Sequence, residues 1–195
     1  KISNIVIMGI GEPFDNYDEV MKFLRTINHK DGINIGMRHI TISTSGLVPA
    51  IYKFADENLQ CNLAISLHSA KDDIRNKLMP INRKYNIEQL MRACDYYIEK
   101  TNRRITFEYA LIDGINDSKE DAKALSILLK GKLCHINLIP INPVKGKEYK
   151  RSKLNNIKEF MKIIKENGIP VTLRRELGRD IEGACGQLRK SYLSD

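Results

Sequence analysis

Cys185 lies among small residues in Gly183-Ala184-Cys185-Gly186-Gln187, a flexible approach that leaves a sulfur accessible as a nucleophile or group carrier. The other cysteines have ordinary packing roles: Cys61 precedes a strand-like run, Cys94 joins a helical apolar stripe and Cys134 opens another strand. No pair falls in a CxxC-type spacing, so no metal ligands are assigned. A second set of chemical groups sits where short β-rich runs stop. These are Gly9-Ile10-Gly11-Glu12-Pro13, Ser43-Thr44-Ser45-Gly46, Ser66-Leu67-His68, Glu108 and Pro140-Ile141-Asn142-Pro143. Glycines let backbone approach a ligand, Glu12 accepts from an amino group, and the serines and Asn142 bond ribose or carboxylate oxygens. Each alone also reads as a turn, a helix cap or a satisfied loop histidine; at one rim they describe a binding site.

The elements that must bring them to one rim follow from periodicity. Strands are expected near Ile5–Met8, His39–Ile42, Leu63–Ser66, Ile105–Tyr109, Ile136–Ile139 and Val171–Leu173. Amphipathic stripes lie between them: Val20, Phe23, Leu24 and Ile27, entered through Asn16 with Glu19 as a capping box; Ile87, Leu90, Met91, Cys94 and Ile98; Ala122, Leu125, Leu128 and Leu129 after Ser118; and Leu154, Ile157, Phe160, Met161 and Ile164, closed by Gly168 and Pro170. Repeated βα units predict a parallel sheet, and in such folds ligands bind beyond the C-terminal strand ends.

The 195 residues are read as one domain, 1–195, with a sizeable core. With 42% hydrophobic residues, no bilayer-length apolar run and no signal-peptide pattern, the expected location is cytoplasmic. The opening Lys1-Ile2-Ser3-Asn4 runs straight into a strand without an initiator methionine, so the chain reads as a C-terminal portion of something longer. The net charge of +8 is dense at Lys145, Lys147, Lys150, Arg151 and Lys153, then at Arg174, Arg175, Arg179, Arg189 and Lys190. Such density fits a polyanionic partner or a solvated basic surface. Arg174 and Arg175 are read either as nucleic-acid phosphate contacts or as a surface pair, and Glu108 either as an inward-facing ligand or as a paired structural carboxylate. His29, His39 and His135 show no partner pattern.

The ordered series GIGEP, STSGLVPAI, SLH, KLMPIN, GIND, LIPINP and DIEGACGQL covers essentially the whole chain. It resembles the dual-specificity RNA adenine carbon-2 methyltransferases of the radical S-adenosylmethionine class. The resemblance implies a partial (β/α) TIM-like barrel of the radical SAM type, lacking its first strand and cluster loop. It assigns S-adenosylmethionine contacts to Gly11, Glu12, Ser43, Ser66, Leu67, His68 and Asn142, and makes Cys185 the methyl carrier. The implied substrates are 23S rRNA and tRNA.

Carbon 2 of adenine, between two ring nitrogens, is too poor a nucleophile for simple displacement. In the family one S-adenosylmethionine methylates the cysteine, and a second is split reductively at a 4Fe-4S cluster to give a radical that activates the S-methyl group. A second cysteine then releases the product by forming a disulfide, and an external electron donor feeds the cluster. The family's CxxxCxxC cluster loop and partner cysteine have no counterpart in this sequence, so the piece alone is expected to be inactive. Loss of the first strand is expected to leave a sheet edge open to self-association. Ile10 replaces a common methionine, and Glu182-Gly183 replaces an acidic residue followed by alanine. The sister carbon-8 resistance methyltransferases resemble GEA and STIG where this chain has Pro13 and Ser45. A cluster-less RNA-binding module is the alternative outside enzymes.

Overall fold

The computed structural model describes residues 2–8, 11–141 and 149–174. Six strands, β1 (Ile5–Ile7), β2 (Ile40–Thr44), β3 (Asn62–Ser66), β4 (Ile105–Leu111), β5 (Cys134–Pro140) and β6 (Val171–Leu173), form one sheet in sequential order. Every neighbouring pair is parallel. The crossovers carry α1 (Tyr17–Asn28), α2 (Val48–Asp56), α3 (Asp72–Leu78), α4 (Ile87–Thr101), α5 (Lys119–Leu129) and α6 (Leu154–Glu166). Strictly sequential order is the arc of a (β/α) barrel, whereas a doubly wound sheet reverses its order at a switch point. The α/β class expected from the sequence is the one observed. Among the described residues β1 and β6 each pair on one side only, and Val6 and Met8 lie exposed beside the open edge.

Side chains alternate across a strand, and the alternation sorts them by chemistry. Ile40, Ile42, Leu63, Ile65, Ile105, Phe107, Tyr109, Ile136 and Leu138 face the helices and are fully buried. The opposite face carries Thr41, Ser43, Asn62, Ser66, Thr106, Glu108, Asn137 and Thr172. The single core therefore lies between sheet and helices. Phe54 of α2 stacks on Tyr97 of α4 at 5.8 Å, and Tyr109 of β4 packs against Phe160 of α6 at 5.3 Å. No helix among the described residues is long and apolar enough to cross a membrane.

Several local expectations change. Asn16 precedes α1 but makes no side-chain cap bond, so the Asn16–Glu19 capping box does not form. The 3-10 turn Pro13–Asn16 enters the helix instead, with Glu12 capping it through the Phe14 N–H. Capping boxes form at Asn86–Gln89 on α4 and Ser118–Asp121 on α5. Leu154, placed in the apolar stripe of α6, is 64% exposed because it opens the helix ahead of the face that packs. Ser43 and Thr44 lie inside β2 rather than after it. The helices α2 and α3 are not anticipated: α2 is a short, nearly unbroken apolar run and α3 is a short helix dominated by Asp72, Asp73, Arg75 and Lys77, so neither shows a stripe. Gly168, at φ +74°, closes α6 as expected.

The two faces of β4 predict unequal costs of truncation. Phe107→Ala should destabilise by about 3–5 kcal/mol, and Thr106→Ala, one residue earlier on the other face, by about 0.5 kcal/mol or less. Urea unfolding midpoints check this, and equal losses would contradict the assignment of faces.

Candidate functional site

The rim is tied together by hydrogen bonds that run from the loop after β1 to the loop after β4. Glu12 Oε2 accepts from both the backbone N–H and the hydroxyl of Ser45, at 2.7 and 2.6 Å, and Oε1 accepts from the Phe14 N–H at 3.1 Å. A carboxylate offers about four acceptor positions, so Glu12 braces two loops and, among the described residues, keeps one position for a ligand donor. Gly11 stands at φ +93°, a conformation costly for residues with a Cβ, and among the described residues no atom comes within 4 Å of where a Cβ would point. The glycine is required by backbone shape and leaves an open approach to the rim.

The next link is Arg75 of α3, which is fully buried. Its Nε donates to the Leu67 carbonyl at 3.0 Å and one terminal nitrogen to Asn82 Oδ1 at 2.7 Å. The other terminal nitrogen donates to the carbonyls of Ser45 and Ser66 at 2.7 and 3.1 Å. Burial lowers its pKa to about 10, with Asp72 opposing, so the guanidinium stays charged at neutral pH. Asn82 in turn donates to Asp72 and Asn76, and Asp72 also accepts from the Ile87 N–H that opens α4. Gly46, at φ +108°, is forced from two sides: a Cβ there would lie 3.2 Å from both Arg75 and Leu90.

His68 follows β3 at φ +57°. Its N–H and that of Leu67 both donate to the Glu108 carbonyl. Its Nδ1 accepts from the Ala110 N–H at 3.0 Å, so the ring proton resides on Nε2. Burial, with Arg75 adding to it, lowers its pKa to about 4, and His68 is a neutral imidazole presenting one N–H donor. Its carbonyl is bonded by Asn116, which also bonds the Ala110 carbonyl and accepts from the Ile112 N–H. The plain reading of His68 as a satisfied loop histidine holds for Nδ1 and the backbone; among the described residues nothing bonds Nε2, which is left for another partner.

The predicted residues therefore behave differently. Gly11, Glu12, Ser66 and His68 come to one rim, and Ser43 lies one row below on the polar face, paired with Ala64. Leu67 is fully buried, with its N–H and carbonyl engaged inside the protein. Asn142 and Cys185 lie outside the described residues, as does Arg175. Arg174 is exposed and its N–H donates to the Leu138 carbonyl. Glu108 is buried, which raises its pKa, while Asn137 and Arg174 pull it down. Residues missed in the sequence are Arg75, Asn82 and Asn116. Asn82 and Asn116 sit in KLMPIN and GIND, so a signal existed for them; Arg75 on a charged helix gave none.

Cys61, Cys94 and Cys134 are all buried. Burial raises the Cys61 and Cys134 thiols to about 11 and pushes Cys94 up as well, so at neutral pH none is the thiolate a metal or an electrophile requires. Among the described residues no three His, Cys, Asp or Glu side chains converge to hold a metal ion or cluster. The described donors fit a small polar ligand at the rim and do not fit an iron-sulfur cluster.

The profile of the Radical SAM superfamily matches residues 1–125. The chain belongs to the radical SAM superfamily. Within it, the chain is 65% identical over 195 residues to the probable dual-specificity RNA methyltransferase RlmN of Caldanaerobacter subterraneus subsp. tengcongensis. It is 59% identical over 194 residues to that of Clostridium botulinum. Each match takes in all of this chain and 57% of the relative, so the chain spans just over half the length of these relatives. Among solved structures, a radical SAM methyltransferase from Sphaerobacter thermophilus superposes with a TM-score of 0.93 at 49% identity, over 96% of this chain and 55% of that one. A domain of pyruvate-formate lyase-activating enzyme from Bacteroides vulgatus matches at TM-score 0.68 and 15% identity, over 89% of this chain and all of that one, which supports the superfamily fold alone.

Two outcomes follow from the rim. Arg75→Lys, which cannot reach four acceptors from one ammonium, should destabilise the protein by about 2–4 kcal/mol in urea unfolding; a loss under about 1 kcal/mol would contradict its role. For His68, the unfolded chain takes up a proton near 6.5 and the folded one near 4. Stability present above pH 6.5 is therefore lost as pH falls toward 4, by up to about 3 kcal/mol. His68→Asn, which tolerates positive φ and keeps an acceptor, should flatten that part of the curve of unfolding midpoint against pH. An unchanged slope would refute it.

Proposed function

We propose that this chain is part of a radical S-adenosylmethionine RNA methyltransferase that methylates carbon 2 of adenine in 23S rRNA and tRNA, with Cys185 as the methyl carrier. The observation that carries this reading is the 65% identity, sustained over all 195 residues, to a relative bearing the name dual-specificity RNA methyltransferase. The rim supports it. Glu12 keeps an acceptor position for an amino group, Gly11 leaves backbone open to approach, His68 presents Nε2–H, and Ser66 and Ser43 offer hydroxyls on the polar face. These residues, with Asn142, are assigned to hold S-adenosylmethionine; Leu67, whose N–H and carbonyl are engaged within the protein, is assigned there through its place between Ser66 and His68.

S-adenosylmethionine supplies the methyl group, and a 4Fe-4S cluster fed by an external donor supplies the electron for radical chemistry. The protein's own residues bind and orient. A neutral His68 adds no positive charge near a sulfonium, and the brace between Glu12 and Ser45 fixes the amino end before the ligand arrives, which reduces the ordering cost of binding. The described cysteines do not suit a cluster, so the ligands are assigned to the longer protein, and this 195-residue piece by itself is assigned no turnover. The exposed basic residues Lys150, Lys153 and Lys158 fit an RNA phosphate surface.

The carbon-8 alternative is disfavoured by the bond between Ser45 and Glu12: an isoleucine at that place, as in STIG, removes the 2.6 Å hydroxyl contact. The test is expression of the full-length protein in cells lacking an equivalent enzyme, followed by mass spectrometry of RNA nucleosides and of the protein. The expected result is 2-methyladenosine in both RNAs, lost with Cys185→Ala, and an S-methyl group on Cys185. Finding 8-methyladenosine selects the sister activity. Unmodified RNA with an unmodified Cys185, despite assembled cluster and available S-adenosylmethionine, would sink the proposal.

A further inference from the structure

Glu108 stands in the middle of the polar face and has no part in the contacts assigned above. It is 8% exposed and shares one register row with Ser66 of β3 and Asn137 of β5. Asn137 Nδ2 donates to its Oε2 at 3.0 Å, and no donor among the described residues reaches Oε1. Arg174 acts on it through charge, without a hydrogen bond between them. Oε1 of Glu108 is not among the described polar atoms buried without a partner, so it keeps an open approach on the polar face and can take a donor that enters there. Its backbone carbonyl meanwhile holds the Leu67 and His68 N–H groups, so the side chain is fixed relative to the rim.

Resting on the S-adenosylmethionine reading above, we propose that Glu108 is a further ligand-binding residue of that site, with Oε1 accepting the hydrogen of a ribose hydroxyl. Spacing selects the hydroxyl. Glu12, assigned to the amino end, is bonded to Ser45 after β2, and β4 lies two strand spacings further along the sheet, about 10 Å. The eight-bond path from the α-amino nitrogen of S-adenosylmethionine to a ribose hydroxyl spans about 10 Å when extended. The Ser66 hydroxyl, next to Glu108 in the same row, faces the other member of the diol. Hydroxyl donors suit a carboxylate that already has one neutral partner, because the new bond is charge-assisted and leaves no second buried cation to neutralise.

The test is a binding cycle on the full-length protein, using calorimetry with S-adenosylhomocysteine and its 2′-deoxy and 3′-deoxy analogues. Glu108→Ala should weaken S-adenosylhomocysteine about ten- to one-hundred-fold, the range for a hydrogen bond to a charged group. One deoxy analogue should bind the wild type more weakly by a similar factor and bind the variant no worse than the parent ligand does. Equal losses for all three ligands would assign Glu108 a structural role and overturn the proposal, as would unchanged affinity. If Glu108→Ala does not fold, Glu108→Gln, which keeps the shape and removes the charge, is read in the same cycle, with a several-fold loss confined to ligands bearing that hydroxyl. Failure of the wild type to bind S-adenosylhomocysteine removes the site reading itself, and this proposal with it. Wild-type binding with no coupling to either hydroxyl removes only the role of Glu108.

Discussion

A single buried guanidinium organises the rim. Arg75 gathers the carbonyls of Ser45, Ser66 and Leu67, the three that end β2 and β3, together with the side chain of Asn82. Removing that charge from water is costly, and among the described residues no carboxylate bonds it directly; Asp72 is reached through Asn82. What offsets the cost is the planar fork, whose donors are satisfied by fixed acceptors. Because those acceptors belong to neighbouring strands and to the turn before α4, Arg75 makes the loop shapes interdependent. Gly46 is the local consequence: the chain must turn with a positive φ where Arg75 and Leu90 leave no room for a side chain.

From that anchor the rim extends in both directions by short bonds. Ser45, held by its carbonyl, turns its N–H and hydroxyl to Glu12. On the other side, Leu67 and His68 hang from the Glu108 carbonyl, and Asn116 fastens the His68 carbonyl to the end of β4. Asp117 then accepts from Ser152 and Asn156, securing the segment around α6. These are bonds between residues 30 or more positions apart along the chain in most cases, so the rim is a product of strand adjacency. Sequential parallel order is what makes each loop neighbour the next one along.

The same strands serve packing and chemistry because their side chains alternate. In β4, Phe107 and Tyr109 bury their rings on the helix side, Tyr109 against Phe160 of α6, while Glu108 between them faces the polar row with Ser66, Asn137 and Thr172. A one-residue slip would exchange the two sets, and the apolar set is large enough to forbid it. The core thereby holds the polar face in register.

Strand positions, most helices, the parallel class and the chemically distinctive strand ends were legible in the sequence, because period-two and period-3.6 patterns are written directly in residue order. The grouping of Gly11, Glu12, Ser66 and His68 at one rim followed from those strand ends. The capping box at Asn16 failed because a 3-10 turn before it, shaped by Pro13 and Glu12, already sets the entry to α1. Arg75 was invisible: on a short charged helix an arginine reads as solvated, and only packing beneath two strand ends shows it buried. Local pattern determined which residues could form strands, helices and polar ends. The tertiary structure decided which of those polar groups are braces, as Arg75, Asn82 and Asn116 are, and which keep free valence among the described residues, as Glu12, His68 Nε2 and Glu108 Oε1 do, because hydrogen-bond capacity is consumed by neighbours in space and not by neighbours in sequence.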